Sequence, residues 1–427
     1  NPRAATSSIF HVSHATRLKM FSTRSKLTLA RATLFQDAPV YVQFYITARC
    51  NLTCKQCNII YANSDVREAT LDEIKGIADN FAKMGVAMVL LTGGEPFTRQ
   101  DLPDIIREFE SRGVHVRMQT NGLATDERIH QVIEAGGCDI SISLDSLWPG
   151  NQDDINGGFA RSWHDALRAM ASFTKYLPKE KSFASLGCVI QRDNLGDVED
   201  VIRFGSEISW FSSIVPIHVT TFDKPMNFRT FDQTKRWKKE ELPYVDRLIE
   251  RVRAMKDEGY LLYDSDQYLD DIKRFAASTA TTWRQHNDNV CDSPNLYFAV
   301  LPNGNFAPCC DHRLSSNIAT YDKNFPEIYR NKVFRDEVLK VTKACSGCMY
   351  GSYPEMTIAM RYMKAKMERI KTFITSPPPK KWPVSYEQML TIAERIRNEP
   401  RERVSLPGQP HRMTLAEGTE QEVAKLV

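Results

Sequence analysis

From residue 39 to about residue 260 the chain alternates β-branched or apolar runs with capped amphipathic segments, and this alternation limits its fold more than any other feature. Residues 40–46 form a β-branched and aromatic run. Thr70-Leu71-Asp72-Glu73 has the form of a capping box, with Thr70 as N-cap, and opens a helix that ends at Gly85. Residues 86–92 are an apolar strand of the kind buried on both faces. A helix over 101–112, a strand over 114–120, a helix over 126–135 and a strand over 139–145 follow. Three less regular units continue the pattern: helix 160–176 with strand 183–190, helix 196–208 with strand 213–219, and helix 240–257. Strands separated by helices pair in parallel through right-handed crossovers, so the expected class is α/β. The six strand–helix units fall short of the eight of a closed barrel.

After about residue 285 the pattern changes. Runs at 295–301 and 306–309 flank Asn303-Gly304, a two-residue hairpin signal. Helices are expected over 325–341, 355–372 and 383–398, with Pro377, Pro378 and Pro379 breaking the chain. A polar, loose tail is expected from Glu399. The expected division is a basic extension over 1–38, a strand–helix domain over 39–260, a hairpin-plus-helix domain over 261–375, and a linker, short helix and tail over 376–427. The first 36 residues hold six Lys or Arg and no acid. They are expected to be an expression remnant followed by a basic helix over 15–36, with an organellar transit peptide as the alternative.

Composition excludes several classes. The balance of 56 basic and 53 acidic residues gives +3, so no strong field draws the chain to nucleic acid or anionic membranes. The longest apolar runs are about six residues, against about 20 for a membrane-spanning helix. Ten cysteines are too sparse for a disulfide scaffold, and their clustering suggests metal binding in a reducing, cytoplasmic compartment.

Cys50, Cys54 and Cys57 form C-x3-C-x2-C in the loop after the first strand. Three thiolates on one short loop suit three irons of a cubane cluster and leave the fourth iron open. A zinc site short of one ligand is the alternative. The second strand ends in Thr92-Gly93-Gly94-Glu95-Pro96 at the same rim. Its two glycines can expose backbone to a close ligand, Glu95 can accept from an ammonium, and Pro96 stiffens the exit.

This pair of motifs resembles the radical S-adenosylmethionine (radical SAM) superfamily over about residues 39–260. The resemblance implies a partial (β/α)6 barrel and a 4Fe–4S cluster on Cys50, Cys54 and Cys57. The open iron would chelate S-adenosylmethionine, whose amino group Gly93, Gly94 and Glu95 would hold. The strand ends Gln119-Thr120-Asn121-Gly122 and Ser141-Ile142-Ser143-Leu144-Asp145-Ser146 are similar to those of the molybdenum-cofactor and peptide-maturase branch. They imply that Ser143 bonds the cofactor ribose and that Thr120 and Asn121 line its pocket. Gln56 stands where the family often has an aromatic residue, which leaves adenine without that contact. A low-potential electron donor such as flavodoxin or ferredoxin is implied as partner.

Cys291, Cys309, Cys310, Cys345 and Cys348 lie beyond the strand–helix region, the last two as C-x2-C. A zinc ribbon is one reading. Following the first domain, the set resembles the short "twitch" form of the family's auxiliary domain, which carries a second 4Fe–4S cluster. Neighbouring strand residues point to opposite faces, so one of Cys309 and Cys310 is surplus. Cys309 follows Pro308 in an Asn-Gly-x-x-x-Pro-Cys pattern similar to the family's, and this resemblance implies that it is the ligand.

A fully ligated auxiliary cluster implies electron transfer, hence oxidation of the substrate by dehydrogenation. Thiol-assisted epimerisation, with Cys310 or Cys188 as hydrogen donor, is the alternative. Few residues precede the first strand compared with the leader-binding domain of peptide maturases. The expected substrate is therefore a small or sugar-like metabolite, with a ribosomal peptide or a lipid as alternatives. An iron–sulfur electron carrier without enzymatic activity is the rival from another class, and it does not account for the glycine turn.

Overall fold

The computed structural model describes residues 27–28, 30–31, 39–57, 67–219, 233–374 and 379–407. The expected basic helix over 15–36 therefore lies almost wholly outside the described residues.

Eight strands form one sheet in the order β6-β5-β4-β3-β2-β1-β7-β8. β1 (Tyr41–Thr47), β2 (Met88–Gly93), β3 (His115–Thr120), β4 (Asp139–Ser143), β5 (Phe183–Ile190) and β6 (Phe211–Pro216) are all parallel. This is the α/β partial barrel that the strand–helix count implies. The hairpin of β7 (Tyr297–Val300) and β8 (Phe306–Ala307) does not stand apart. β7 pairs in parallel with the free edge of β1, so the cysteine-rich C-terminal region continues the same sheet.

Period-two alternation sorts each strand onto two faces. Val42, Phe44, Ile46, Val89, Leu91, Val116, Met118, Ile140 and Ile142 pack against the helix layer. Tyr41, Tyr45 and Leu90 face the opposite, inner side, where Tyr297 and Tyr353 join them. Helix Leu71–Met84 opens on the expected capping box: Thr70 Oγ1 accepts from Glu73 N at 3.2 Å, and Glu73 Oε2 accepts from Thr70 N at 2.8 Å.

Three elements depart from the sequence reading. The helix expected over 325–341 is two, Phe325–Arg330 and Lys332–Ala344, because Asn331 sits extended and caps the second by accepting from Val333 N. The helix expected over 355–372 likewise breaks at Tyr362 into Ser352–Arg361 and Met363–Ile374. The tail expected to be loose is held from Arg401 to Leu406. Arg401 and Arg403 pair with the buried Asp200, and Val404 and Leu406 are buried.

Asp264 ties β6 to the C-terminal region. It accepts from Ser213 Oγ and Ile214 N, both at 2.7 Å, while Ser265 N donates to Glu355 at 2.7 Å. Burial, then the Glu355 charge, pushes Asp264 up to about 7. The unfolded value lies near 4, so the folded chain holds the proton over the window between. Stability from this group therefore falls as pH rises from about 4 to about 7. Asp264→Asn removes the effect. The melting temperature of the variant relative to the parent protein is expected to be a few degrees more favourable at pH 8 than at pH 5. A difference that does not change with pH would show that Asp264 titrates alike in both states.

Candidate cofactor site

The β1–β2 ladder slips in register between Tyr45 and Thr47, which frees the end of β1 to turn into the cysteine loop. That exit is clamped to the glycine turn after β2. Gly94 N donates to Thr47 O at 2.9 Å, and Glu95 N donates to Arg49 O at 2.8 Å. A Cβ on Gly93, whose φ is +138°, would lie 2.1 Å from Thr47 O; one on Gly94 would lie 2.1 Å from Arg49 O. Both glycines thus admit the stem of the cysteine loop, where the sequence reading had them admit a ligand.

Glu95 is fully buried, and its carboxylate faces the protein. Oε1 accepts from Phe97 N at 3.0 Å and Thr120 Oγ1 at 2.8 Å, and Oε2 accepts from Asn121 N at 2.7 Å. Three donors favour the charged form, yet burial prevails and pushes the group up to about 7. Pro96 opens a single 3-10 turn, Pro96–Thr98, directly after it. Asn121 continues the chain of contacts: its Nδ2 donates to Asn51 Oδ1 at 2.7 Å and points at Cys50 Sγ at 3.9 Å. Glu95 therefore braces β2, β3 and the cysteine loop together, a structural role that the sequence reading, which gave the carboxylate to an ammonium, did not include. Glu95→Gln would set an amide N–H against Asn121 N or Thr120. The variant is expected to lose about 1–3 kcal/mol in chemical denaturation even without cofactor. Unchanged stability would mean that the carboxylate is not the brace.

Helix Pro149–Ile155, which has no apolar period to announce it, supports the loop from the other side. Lys55 N donates to Ile155 O at 3.0 Å, Lys55 Nζ pairs with Asp154 at 2.6 Å, and Cys54 Sγ meets Asn156 Oδ1 at 3.4 Å. Gly157, at φ +88°, leaves room for Thr53 O, which a Cβ would approach to 2.4 Å. Gln56 Nε2 donates to Asp145 Oδ2 at 2.9 Å, and Asp145, buried at the end of β4, is pushed up to about 7 by that burial. Ser143 ends β4, half-buried and in register with Gly187, on the inner face with Ser141. Cys50, Cys54 and Cys57 are half-buried free thiols, and burial pushes Cys50 up to about 11 and Cys54 higher still. A bound cation reverses that preference and holds them as thiolates.

The second cysteine set surrounds one cavity, lined by Cys291, Cys309, Cys345 and Cys348 together with Arg284 and Tyr353. Three of these sulfurs receive a backbone N–H from two residues ahead: Asp311 N to Cys309 Sγ, Gly347 N to Cys345 Sγ, and Ser293 N to Cys291, the first two at 3.4 Å. Leu52 N to Cys50 Sγ, also at 3.4 Å, repeats the arrangement at the first site. N–H groups aimed at sulfur suit thiolates, and they tune iron–sulfur centres. Among the described residues no three His, Cys, Asp or Glu side chains converge closely enough for a single metal ion. Thiols spread around a cavity fit a cubane better than a zinc ion.

Cys310 points away from this cavity into the inner-face cluster of Tyr41, Tyr45 and Tyr353, where it is fully buried. Cys188, the other hydrogen-donor candidate, is buried with Leu186 and Ile190 in the helix-facing core, on the face of β5 opposite the inner side. His218 stacks on Tyr350 at 4.1 Å and accepts from Met349 N at 2.9 Å, so it braces the segment after Cys348.

Residues 44–205 match the family model of the radical SAM superfamily. This stretch of the chain is a radical SAM domain, of a family that works with a 4Fe–4S cluster and S-adenosylmethionine. Over 172 residues the chain is 30% identical to a PqqA peptide cyclase of Bradyrhizobium diazoefficiens, covering 40% of this chain and 44% of that protein. Over 124 residues it is 39% identical to a GTP 3′,8-cyclase of Limosilactobacillus fermentum, covering 28% and 37%. The chain thus spans less than half the length of these curated relatives. The structure of Streptococcus suis SuiB bound to S-adenosylmethionine shares the fold, with a TM-score of 0.55, 16% identity, and coverage of 77% of this chain and 79% of SuiB. No helix among the described residues is long and apolar enough to cross a membrane.

Proposed function

We propose that the chain is a radical SAM enzyme that modifies a peptide, with the cofactor held at the C-terminal rim of β1 to β4. The observation that carries this reading is the linkage of the Cys50 loop, the Gly93-Gly94-Glu95-Pro96 turn and Asn121 through the buried Glu95 carboxylate. Cys50, Cys54 and Cys57 hold the first cluster. Cys291, Cys309, Cys345 and Cys348 hold the auxiliary one, with Cys309 preferred over Cys310 because its sulfur lies at the cavity. When bound, the cluster and S-adenosylmethionine supply a 5′-deoxyadenosyl radical that removes a hydrogen atom from substrate.

The protein's own task is to position and exclude. The glycine turn fixes the loop stem, Asn121 reaches over Cys50, and Ser143 offers a hydroxyl to the ribose from the inner face of β4. An external low-potential donor supplies the electron.

A peptide substrate is supported by the 30% identity to a PqqA peptide cyclase, and it displaces the small metabolite that the sequence alone favoured. The second reading keeps a small-molecule substrate and rests on the 39% identity to a GTP 3′,8-cyclase. Anaerobic protein with reductant and S-adenosylmethionine distinguishes them. Short peptides are expected to stimulate 5′-deoxyadenosine release several-fold, and GTP is not. Stimulation by GTP alone would favour the second reading.

A further inference from the structure

We propose that Arg284 sets the reduction potential of the auxiliary cluster, by holding a buried guanidinium charge against it. This rests on the reading of Cys291, Cys309, Cys345 and Cys348 as cluster ligands. Among the described residues that line their cavity, Arg284 is the single lysine or arginine. It is 7% exposed. Its NH1 donates to Cys345 O at 3.1 Å and its NH2 to Ser346 O at 2.8 Å, so the guanidinium caps the turn between the last two cysteines. Its Nε is buried with no hydrogen-bond partner. Trp283, next in the chain, donates from Nε1 to Cys348 O at 3.0 Å, so two consecutive side chains grip the same C-x2-C turn.

Gly347 completes the arrangement. A Cβ there would lie 2.6 Å from Arg284 NH2, 2.9 Å from Cζ and 3.2 Å from Nε. The guanidinium therefore lies flat against this glycine, and any larger residue between the two cysteines would displace it.

A buried cation costs desolvation energy unless something offsets it. Two carbonyl contacts are a modest return for an arginine, and the cavity, ringed by four thiols and also lined by Asp311, is where a bound anionic group would supply the rest. A cluster on four thiolates is already anionic, and each added electron makes it more so. A fixed positive charge in a low-dielectric pocket stabilises the reduced form more than the oxidised form, and the potential rises.

The test compares reconstituted parent protein with Arg284→Gln and Arg284→Lys, by iron content and by a redox titration followed by electron paramagnetic resonance. Arg284→Gln is expected to keep about eight irons. Its auxiliary midpoint should fall by at least a tenfold change in the reduced-to-oxidised ratio, about 59 mV for one electron. Arg284→Lys keeps the charge and should shift by less than half of that. If Arg284→Gln loses the auxiliary irons, the lysine variant carries the test: irons retained with a near-parental midpoint support the charge role. A midpoint unmoved in Arg284→Gln with both clusters present overturns the proposal, as do equal shifts in the two variants. Parent protein without a second cluster signal overturns the ligand reading itself, and is recognised before any variant is compared.

Discussion

Replacing Cys50, Cys54 and Cys57 together by Ala is expected to halve the iron of the anaerobically reconstituted protein, from about eight to about four atoms per chain. The two thiol sets lie on separate parts of the sheet. The first is on the loop after β1; the second surrounds a cavity beside the β7–β8 hairpin, which pairs with the opposite edge of β1. Loss of one set leaves the backbone donors to the sulfurs of the other in place. The fold should survive, because the three thiols are half-buried and the packed core does not include them. The remaining four irons should be lost only when Cys309 or its partners are also replaced, and Cys310→Ala should leave them intact. Iron falling to zero in the first variant would mean that the two sets form one site.

Gly94→Ala should be the most damaging single methyl group in the radical SAM domain. Its Cβ would sit 2.1 Å from Arg49 O, 2.5 Å from Arg49 C and 2.8 Å from Ala48 O. All three are backbone atoms, so no side-chain rotation relieves the clash. The Glu95 N to Arg49 O bond must open, and with it the anchor of the cysteine loop. A loss of about 3 kcal/mol or more is expected, at the upper end for a point substitution. Folded protein, if recovered, should bind no cluster at the first site while retaining the auxiliary irons. The control is Gly158→Ala, three residues beyond Ile155, where an added Cβ meets nothing within 4 Å. Strain at its φ of +81° should cost about 1–2 kcal/mol and leave the iron count unchanged. Equal effects in the two variants would show that the close approach at Gly94 costs no more than the backbone strain at Gly158.

How much of this was legible in the sequence depends on how far each signal reaches along the chain. The capping box at Thr70 is local and formed as expected; the hairpin also formed, but around a three-residue loop, 302–304, closed by Leu301 N donating to Asn305 O at 2.8 Å, with Gly304 rather than Asn303 at positive φ, +83°. β5 matched residue for residue, because Phe183–Ile190 is a largely apolar run between the polar stretches 179–182 and 191–194. The motif cysteines and the glycine turn were legible as chemistry. What each turn touches was not, because the partners of Gly93 and Gly94 lie more than 40 residues earlier in the chain. Glu95 shows the limit most clearly. A lone carboxylate in a glycine turn looks like a free acceptor until the fold brings Thr120 and Asn121 to it. Helix Pro149–Ile155 begins Pro-Gly-Asn and has no apolar stripe, so only its contact with Lys55 and Cys54 reveals its purpose. Arg401 and Arg403 lie in a stretch whose composition suits a loose tail, yet the buried Asp200, some 200 residues earlier, holds them.

The central claim is that the linked rim of Cys50, Glu95 and Asn121 serves reductive cleavage of S-adenosylmethionine. The most direct test is chromatographic measurement of 5′-deoxyadenosine from anaerobic, cluster-loaded protein given a strong reductant and S-adenosylmethionine. The account predicts that 5′-deoxyadenosine accumulates with the parent protein and with Cys310→Ala, and is absent with the triple Cys50, Cys54 and Cys57 variant. Cluster-replete parent protein that yields none, or a triple variant that yields as much as the parent, would contradict it.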